Sequence, residues 1–112
     1  MSPRPIPDIT HLQFLVLGTL RGGTRSGHSV RKALARHGVR RSGPAFYQMM
    51  ARLEDAGLVA GEYDQRVVAG QIIKERRYTL TAPGEAAWSS TRAFYDEAID
   101  VYGTGKRRTA HA

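Results

Sequence analysis

SGPAFYQMMARLEDAGLV, residues 42–59, has the features of one complete helix. Ser42 is a suitable N-cap, and Pro44 follows just inside the helix, where a proline is tolerated. Gly57 suits the left-handed conformation that often follows a helix end. The side chains predicted to face the core share a ~100° arc at 3.6 residues per turn and are those of Phe46, Met49, Met50 and Leu53.

The leading end of this helix lacks both bulk and negative charge. Gly43, Pro44 and Ala45 present little side chain, and no acidic residue precedes Glu54 in the helix. The first backbone amides of a helix have no intrahelical partners and can approach a phosphate. The pattern therefore predicts that this end lies against a nucleic-acid backbone.

Charge is segregated along the chain, which has 112 residues and a formal net charge of +7. Residues 9–53 contain eight arginines and lysines and no acid, whereas residues 82–102 contain four acids and one arginine. A cationic side favours a nucleic-acid partner, because nucleic acid is the commonest polyanion in cytoplasm. The alternative is a solvated arginine-rich face that has no partner.

Composition argues against several other classes of protein. The sequence has no cysteine, no run of the ~18 apolar residues that a membrane helix needs, and no signal-peptide pattern at its start. Its histidines show no metal-ligand spacing, and GGTRSGHS, residues 22–29, has His28 where a phosphate-binding loop needs lysine. We therefore expect one cytoplasmic domain that is not an enzyme and has no metal, no cofactor and no membrane association.

Helical periodicity also precedes residues 42–59. Asp8 is the expected N-cap of a first helix that ends at Gly22-Gly23. A second helix is predicted to begin near Ser26-Gly27 and to stop at His37-Gly38. The stretch 42–59 is then the third helix and the second of a helix-turn-helix.

Beyond residue 59 the pattern changes from helix to strand. Residues 60–68 and 71–81 are rich in β-branched and aromatic residues, and Ala69-Gly70 between them predicts a hairpin turn. Thr81 is the expected N-cap of a fourth helix that runs to about Tyr102. The order predicts a mainly α fold with a small β-hairpin (α+β), namely a winged helix-turn-helix with a C-terminal helix.

The second helix of a helix-turn-helix lies in the major groove of DNA. We expect helix 44–56 to read base edges, with Gln48 suited to adenine and Ala51 to a thymine methyl, and the wing 60–80 to contact phosphate. Taken alone, Gln48 could be ordinary polar surface; the acid-free segment favours the DNA-binding interpretation. The predicted DNA-binding residues are Arg40, Arg41, Ser42, Pro44, Tyr47, Gln48, Ala51, Arg52, Arg66, Lys74, Arg76 and Arg77.

The fourth helix has apolar residues on more than one side, which a small core cannot cover. An exposed aromatic patch usually marks an interface, and a two-fold dimer is the commonest solution. The alternative is that the helix folds back on its own domain. The residues predicted for the dimer interface are Trp88, Phe94, Tyr95, Ala98, Ile99, Val101 and Tyr102.

These expectations divide the chain into four parts. Residues 1–7 contain three prolines and form an arm, 8–81 form the winged-helix DNA-binding domain, 82–102 form a dimerisation helix, and 103–112 form a flexible basic tail.

Two segments, SGPAFYQMMARLEDAGLV and ERRYTLTAPG (75–84), resemble the PadR family of transcriptional regulators. In that family the recognition helix has a small-residue start, a tyrosine and an R-L-E-x-x-G-L ending, and the second wing strand runs into Y-x-L-T-x-x-G. The match covers about residues 12–90. The matching positions are Tyr47, Arg52, Leu53, Glu54, Gly57, Leu58, Tyr78, Leu80, Thr81 and Gly84.

The resemblance implies a homodimeric DNA-binding repressor, often switched by a small ligand. Trp88 and Tyr95 are the candidate effector cavity; the alternative is that both are ordinary core residues. Two departures are Gln48, where the family usually has proline, and His28, where tyrosine is usual. One C-terminal helix resembles the short members of the family. The alternative is a winged-helix module that binds RNA or a protein, although RNA recognition usually adds exposed aromatics and most aromatics here fall on packing faces.

Overall fold

The computed structural model describes residues 6–103, which form four α-helices and a three-stranded antiparallel sheet. This is the winged-helix architecture, so the predicted fold class is confirmed. The predicted basic tail lies outside the described residues except for Gly103. The elements are α1 His11–Thr19, β1 Arg25–Ser26, α2 Gly27–Ala35, α3 Gly43–Asp55, β2 Val59–Val68, β3 Gln71–Leu80, α4 Ala82–Ala98 and a π-helical turn Ile99–Gly103.

Helix α1 begins two residues later than the sequence predicts. Its N-cap is Thr10, whose hydroxyl accepts from the Gln13 amide at 3.0 Å, while the Gln13 side chain accepts from the Thr10 amide at 2.9 Å. This reciprocal capping box needs a glutamine or glutamate three residues after the cap. Asp8 is followed at that position by His11, so the Asp8 cap was wrong.

The first strand, β1, was not predicted. Arg25 and Ser26 pair with Tyr78 and Arg77 of β3, so that β3 lies between β1 and β2. Ser26 is at the same time the N-cap of α2, its hydroxyl accepting from the Ser29 amide at 3.0 Å. A strand of two residues is too short to show an alternating pattern.

The hairpin of β2 and β3 is the wing, and it pairs in register from Val59 opposite Leu80 to Val68 opposite Gln71. Ala69 and Gly70 connect the strands with φ values of 52° and 78°. Two positive φ values in a two-residue loop match the right-handed twist of the strands. The predicted turn at Ala69-Gly70 is confirmed.

One core joins the helices to the base of the wing. Three of the four side chains predicted to face inward from α3 are buried, and Met49 packs against them at the edge. Tyr78 is the wing residue that enters this core. The buried core residues are Val16, Leu17, Leu20, Val30, Leu34, Phe46, Met50, Leu53, Val59 and Tyr78.

Helix α4 is fixed to the domain at its start. Thr81, the predicted N-cap, accepts from the Gly84 amide at 3.0 Å and donates to the Gly57 carbonyl at 2.6 Å. A Cβ on Gly84 would lie 2.0 Å from the Leu58 carbonyl oxygen, which explains why glycine occupies that position. Among the described residues, none of the helices combines the length and the apolar character needed to cross a bilayer.

Candidate nucleic-acid interface

The start of α3 is exposed and lightly substituted, as its sequence indicates. Ser42 caps the helix by accepting from the Ala45 amide at 3.3 Å. Pro44, Gln48 and Ala51 are all exposed on the outer side of the helix. Because the first amides of the helix point past small side chains, a phosphate could approach them closely.

Tyr47 holds a fixed position over the start of α2. A Cβ on Gly27 would lie 2.7 Å from the Tyr47 hydroxyl oxygen, so the tyrosine occupies space that any other side chain at position 27 would fill. The Tyr47 ring also packs edge-on against Phe46, with ring centres 5.0 Å apart. The residue as a whole is 41% exposed.

The outer face of α3 borders two depressions. Tyr47 and Ala51 line the groove between α3 and the wing, together with His28 and Lys74. Gln48 and Arg52 line a smaller depression on the other side, toward the start of α1, which they share with Arg41. The structure thus brings the predicted α3 residues to one exposed ridge between the wing and α1.

The cations of the acid-free segment fall into two groups. Arg21, Arg25 and Arg31 are held by partners within the domain. None of the ion pairs between described residues involves the remaining five. We call these five the helix-turn-helix cations; they are Lys32, Arg36, Arg40, Arg41 and Arg52.

The three held arginines have structural roles. Arg21 pairs with Glu85 at 3.0 Å and lies 3.7 Å from the Trp88 ring centre, which places it on the α4 side. The hydrogen bond from Arg21 lowers the pKa of the Glu85 carboxyl. Arg25 donates to the Thr19 carbonyl at 2.7 Å. Arg31 donates to the Arg41 carbonyl at 3.0 Å, which stabilises the turn before α3.

Two of the four predicted wing cations are paired with carboxylates. Arg66 donates to Glu75 at 2.6 Å across the hairpin and lies 3.9 Å from Asp64. The hydrogen bond from Arg66 is the main reason that the pKa of the Glu75 carboxyl is lowered. Lys74 lies 5.4 Å from the Tyr63 ring centre and is exposed.

The second paired wing cation, Arg76, connects the wing to α3. Its guanidinium lies 2.5 Å from the Glu54 carboxylate, and both side chains are about three-quarters buried, at 25% and 22% exposure. The Tyr63 ring covers the guanidinium at 4.8 Å. A Cβ on Gly61 would lie 2.6 Å from Glu54 Oε1, so the glycine makes room for the pair. We call the Glu54–Arg76 pair the wing anchor.

Sequence reasoning missed the wing anchor. Glu54 was recognised only as part of the R-L-E pattern, and Arg76 was placed among the DNA-binding residues. The available signal was that Glu54 is the first acid after 45 residues without one. Burial raises the pKa of the neighbouring Tyr78 to about 12, so its phenol is neutral at the base of the wing.

The residues predicted for a dimer interface divide between two environments. Trp88 stacks on Phe14 with ring centres 5.6 Å apart, and Tyr95 stacks on His11 at 5.7 Å, so both rings contact α1 of the same chain. Phe94 lies against Tyr95 at 5.3 Å. The last described turn is different, since Ile99, Val101 and Tyr102 are 60%, 56% and 81% exposed.

Within residues 6–103, no three His, Cys, Asp or Glu side chains are placed to hold a metal ion. No protein-family model matches this chain, and no curated protein matches it significantly.

Solved structures do match it. A PadR family transcriptional regulator from Eggerthella lenta DSM 2243 is 30% identical, with a TM-score of 0.66, over 83% of this chain and 79% of that one. This chain belongs to the PadR family. A PadR family regulator from Clostridium difficile R20291 is 16% identical with a TM-score of 0.67, over 83% of this chain and 98% of that one.

PadR from Bacillus subtilis, solved in complex with operator DNA, is 22% identical with a TM-score of 0.57, over 80% of this chain. At that identity the likeness concerns the fold, and this PadR-family chain covers 48% of the Bacillus subtilis protein. The family assignment confirms the resemblance predicted from residues 42–59 and 75–84. The PadR-family neighbours are transcriptional regulators rather than enzymes.

Proposed function

We propose that this protein is a homodimeric transcriptional repressor of the cytoplasm that binds double-stranded DNA. The observation that carries the proposal is the ridge of α3, where exposed Tyr47, Gln48 and Ala51 are flanked by cations without ion pairs among the described residues. The solved complex of Bacillus subtilis PadR with operator DNA supports duplex DNA as the partner of this fold.

In the proposed complex, α3 lies in the major groove and its bare start faces a phosphate. Arg40 and Arg41 neutralise the same strand, and the Tyr47 hydroxyl donates to a phosphate oxygen. Gln48 pairs with an adenine edge and Ala51 contacts a thymine methyl, as their chemistry allows. The wing positions the protein on the backbone through Lys74 and Arg77 without reading sequence.

A second copy of the chain covers the exposed apolar end of the structure. Ile99, Val101 and Tyr102 present β-branched and aromatic surface that residues 6–103 of one chain leave exposed. A two-fold axis there gives two α3 helices and hence two half-sites. The rings of Trp88 and Tyr95 already pack on α1. They would line an effector cavity only if the second copy of the chain supplied the opposite wall.

Selection of bound fragments from a random duplex library, with an RNA library in competition, tests the DNA-binding proposal. We expect an inverted repeat of duplex DNA, with affinity that falls as salt rises. Enrichment of single-stranded RNA, or no enrichment of duplex, would reject the proposal in favour of an RNA- or protein-binding module.

Charged substitutions test the dimer. Ile99→Glu combined with Tyr102→Glu should give monomers by multi-angle light scattering, because two carboxylates would be buried in the apolar contact. Ile72→Glu is the matched control, since Ile72 is 68% exposed at the tip of the wing. If the double variant remains dimeric, the dimer contact lies elsewhere.

A further inference from the structure

The tip of the wing is apolar and exposed. On either side of the Ala69-Gly70 turn, Val67 is 72% exposed and Ile72 is 68% exposed. The adjacent Val68 and Ile73 are 48% and 40% exposed. Exposed apolar residues at the end of a hairpin favour unwanted association in water, so a sequence that keeps them there needs a functional reason.

The two most exposed of these side chains share one face of the hairpin. Val67 and Ile72 are register partners, and such partners have Cβ atoms about 5 Å apart on the same face. Because side chains alternate along a strand, Tyr63 and Lys74 lie on this face too, and both line the groove beside α3. One continuous face therefore runs from α3 to Val67 and Ile72, which we call the tip pair.

Positive charge surrounds the tip pair. Residues 65–74 contain two cations, Arg66 and Lys74, and no acid. Lys74 is exposed beside the tip pair and forms no ion pair with another described residue. The complementary surface has apolar area bordered by negative charge. The minor groove of DNA, about 6 Å wide, is such a surface, since it places stacked bases between two phosphate backbones.

The wing is long enough to bring the tip pair to a minor groove. Arg76 contacts Glu54 of α3 at the base of the wing. Ile72 and Gly70 lie four and six residues farther toward the tip, which at ~3.3 Å per residue is about 13 Å and 20 Å. With α3 in the major groove, the adjacent minor groove is half of a ~34 Å helical turn away, or roughly 17 Å. The tip pair therefore lies at the right distance.

Another protein surface fits this tip less well. A stable protein interface uses roughly 20–30 residues on each side, whereas the tip offers four apolar side chains on the two faces of a narrow hairpin. Two copies of the chain meeting tip to tip would also bring their Lys74 cations together, and like charges across a contact oppose association. Size and charge both favour DNA as the occupant.

We propose that the tip pair enters the minor groove as an apolar wedge, partly unstacks one base step and bends the duplex. The inference rests on the proposed function and extends it, because the phosphate contacts of Lys74 and Arg77 position the wing without deforming DNA. Apolar side chains inserted between base steps bend DNA by roughly 20–90°. Pyrimidine–purine steps are the easiest to unstack, so the wedge adds a sequence preference without a hydrogen bond to a base.

The duplexes selected from the random library show whether that preference exists. We expect a TA or CA/TG step about five base pairs from the centre of each half-site, which is half of a helical turn. Val67→Ala combined with Ile72→Ala should lose the preference and keep the half-site bases that α3 reads. Val68→Ala combined with Ile73→Ala is the matched control on the opposite face of the hairpin, and it should keep both.

Energy transfer between dyes at the two ends of a selected duplex measures the bend. The wild type and the control variant should bring the ends closer, and a fluorescent adenine analogue in the step should brighten as it unstacks. The tip-pair variant at saturation should do neither, and its affinity should fall on the order of tenfold. Equal bending by the tip-pair variant, or equal loss of bending in both variants, would overturn the wedge.

A second variant covers disorder of the hairpin. Val67→Thr combined with Ile72→Thr keeps β-branched side chains that suit a strand and replaces apolar atoms with hydroxyl groups, which resist burial in a dry base step. This variant should also leave the duplex straight. An unchanged bend would contradict an apolar wedge.

Failure of the wedge can be told apart from failure of the proposed function. If a duplex is selected and stays straight when the wild type binds, the wedge is wrong while the proposed function stands. If no duplex is selected, both fail. Light scattering without DNA tests the competing occupant, because association of the full chain that disappears in the tip-pair variant would assign the tip to a contact between copies and overturn the wedge.

Discussion

The turn before α3 and the wing carry similar numbers of arginines in different surroundings. Arg40 and Arg41 form no ion pair with another described residue, whereas Arg66 lies 2.6 Å from Glu75 and Arg76 lies 2.5 Å from Glu54. Residues 9–53 contain no acid, whereas the wing interleaves its cations with Glu62, Asp64 and Glu75. A cation beside a carboxylate has little net charge to offer a phosphate.

The difference indicates that the two regions have different tasks. When a cation without a carboxylate partner neutralises a phosphate, counterions condensed on the DNA are released, and that release supplies most of the salt-dependent affinity. The paired wing arginines instead stiffen the hairpin and attach it to α3, so they place the wing rather than attract DNA. This division of tasks can be tested by substitution, beginning with the largest expected effect.

Loss of the wing anchor should have the largest effect. Arg76→Met leaves the Glu54 carboxylate three-quarters buried without its partner, and the free energy of unfolding should fall by about 2 kcal/mol. Urea denaturation followed by circular dichroism measures this. This loss of unfolding free energy is smaller than that expected for a fully buried ion pair, because part of each side chain reaches solvent.

Arg77→Met is the matched control for the wing anchor. Arg77 is the next residue along β3 and therefore points to the opposite face of the sheet. It forms no ion pair with another described residue. Its replacement should change the free energy of unfolding by less than about 0.5 kcal/mol. Equal losses in the two variants would show that the Glu54–Arg76 pair does not anchor the wing.

Salt dependence distinguishes paired from unpaired cations directly. Arg41→Gln should lower the slope of log affinity against log salt by about one, while Arg66→Gln should change it by much less. Fluorescence anisotropy with a selected duplex at several salt concentrations measures both slopes. Equal reductions would mean that the Arg66–Glu75 pair opens on DNA, and the comparison between turn and wing would fail.

The fold could be predicted from the sequence largely because its signals are local. Ser42, Gly57 and the apolar arc of α3 lie within one short stretch, and the Ala69-Gly70 turn selects its own backbone conformation. The Thr10 cap was local too and could have been predicted, because Thr10 and Gln13 have the spacing of a capping box. Strand β1 could not, because it is two residues long and exists only through its pairing with β3.

The candidate site was less accessible to sequence reasoning. The exposed face of α3 follows from helical periodicity, so Gln48 and Ala51 could be placed from the sequence. Whether an arginine is paired depends on which carboxylate the fold brings near it, as with Glu54 and Arg76, which are 22 residues apart. The path of the turn between α2 and α3, residues 36–42, follows no periodicity in the sequence either.

The smallest expected effect is a gain. Glu75→Gln removes the carboxylate that holds Arg66, leaving Asp64 at 3.9 Å as its remaining partner. Duplex binding at low salt should strengthen about threefold, and the salt slope should steepen by a fraction of one. Asp96→Asn on α4 is the control, because it changes the net charge equally and also releases an arginine, Arg92, which lies 3.5 Å from Asp96. Equal gains in both variants would point to net charge alone.

The Arg21–Glu85 pair provides the same chemistry at a place where no DNA effect is expected. Arg21 lowers the pKa of Glu85, and Arg66 lowers the pKa of Glu75, from an ordinary value of 4.5. Each depressed pKa stabilises the fold above 4.5, and this contribution is lost as pH falls through the folded-state pKa. The thermal unfolding of Glu85→Gln and of Glu75→Gln should therefore depend less on pH in this acid range than that of the wild type.

Only Glu75→Gln should also strengthen DNA binding, because the arginine released by Glu85→Gln lies over Trp88 beside α4. Stronger DNA binding by both variants would show that the position of the released arginine does not matter. Unchanged DNA binding in both would show that Arg66 does not reach the DNA backbone.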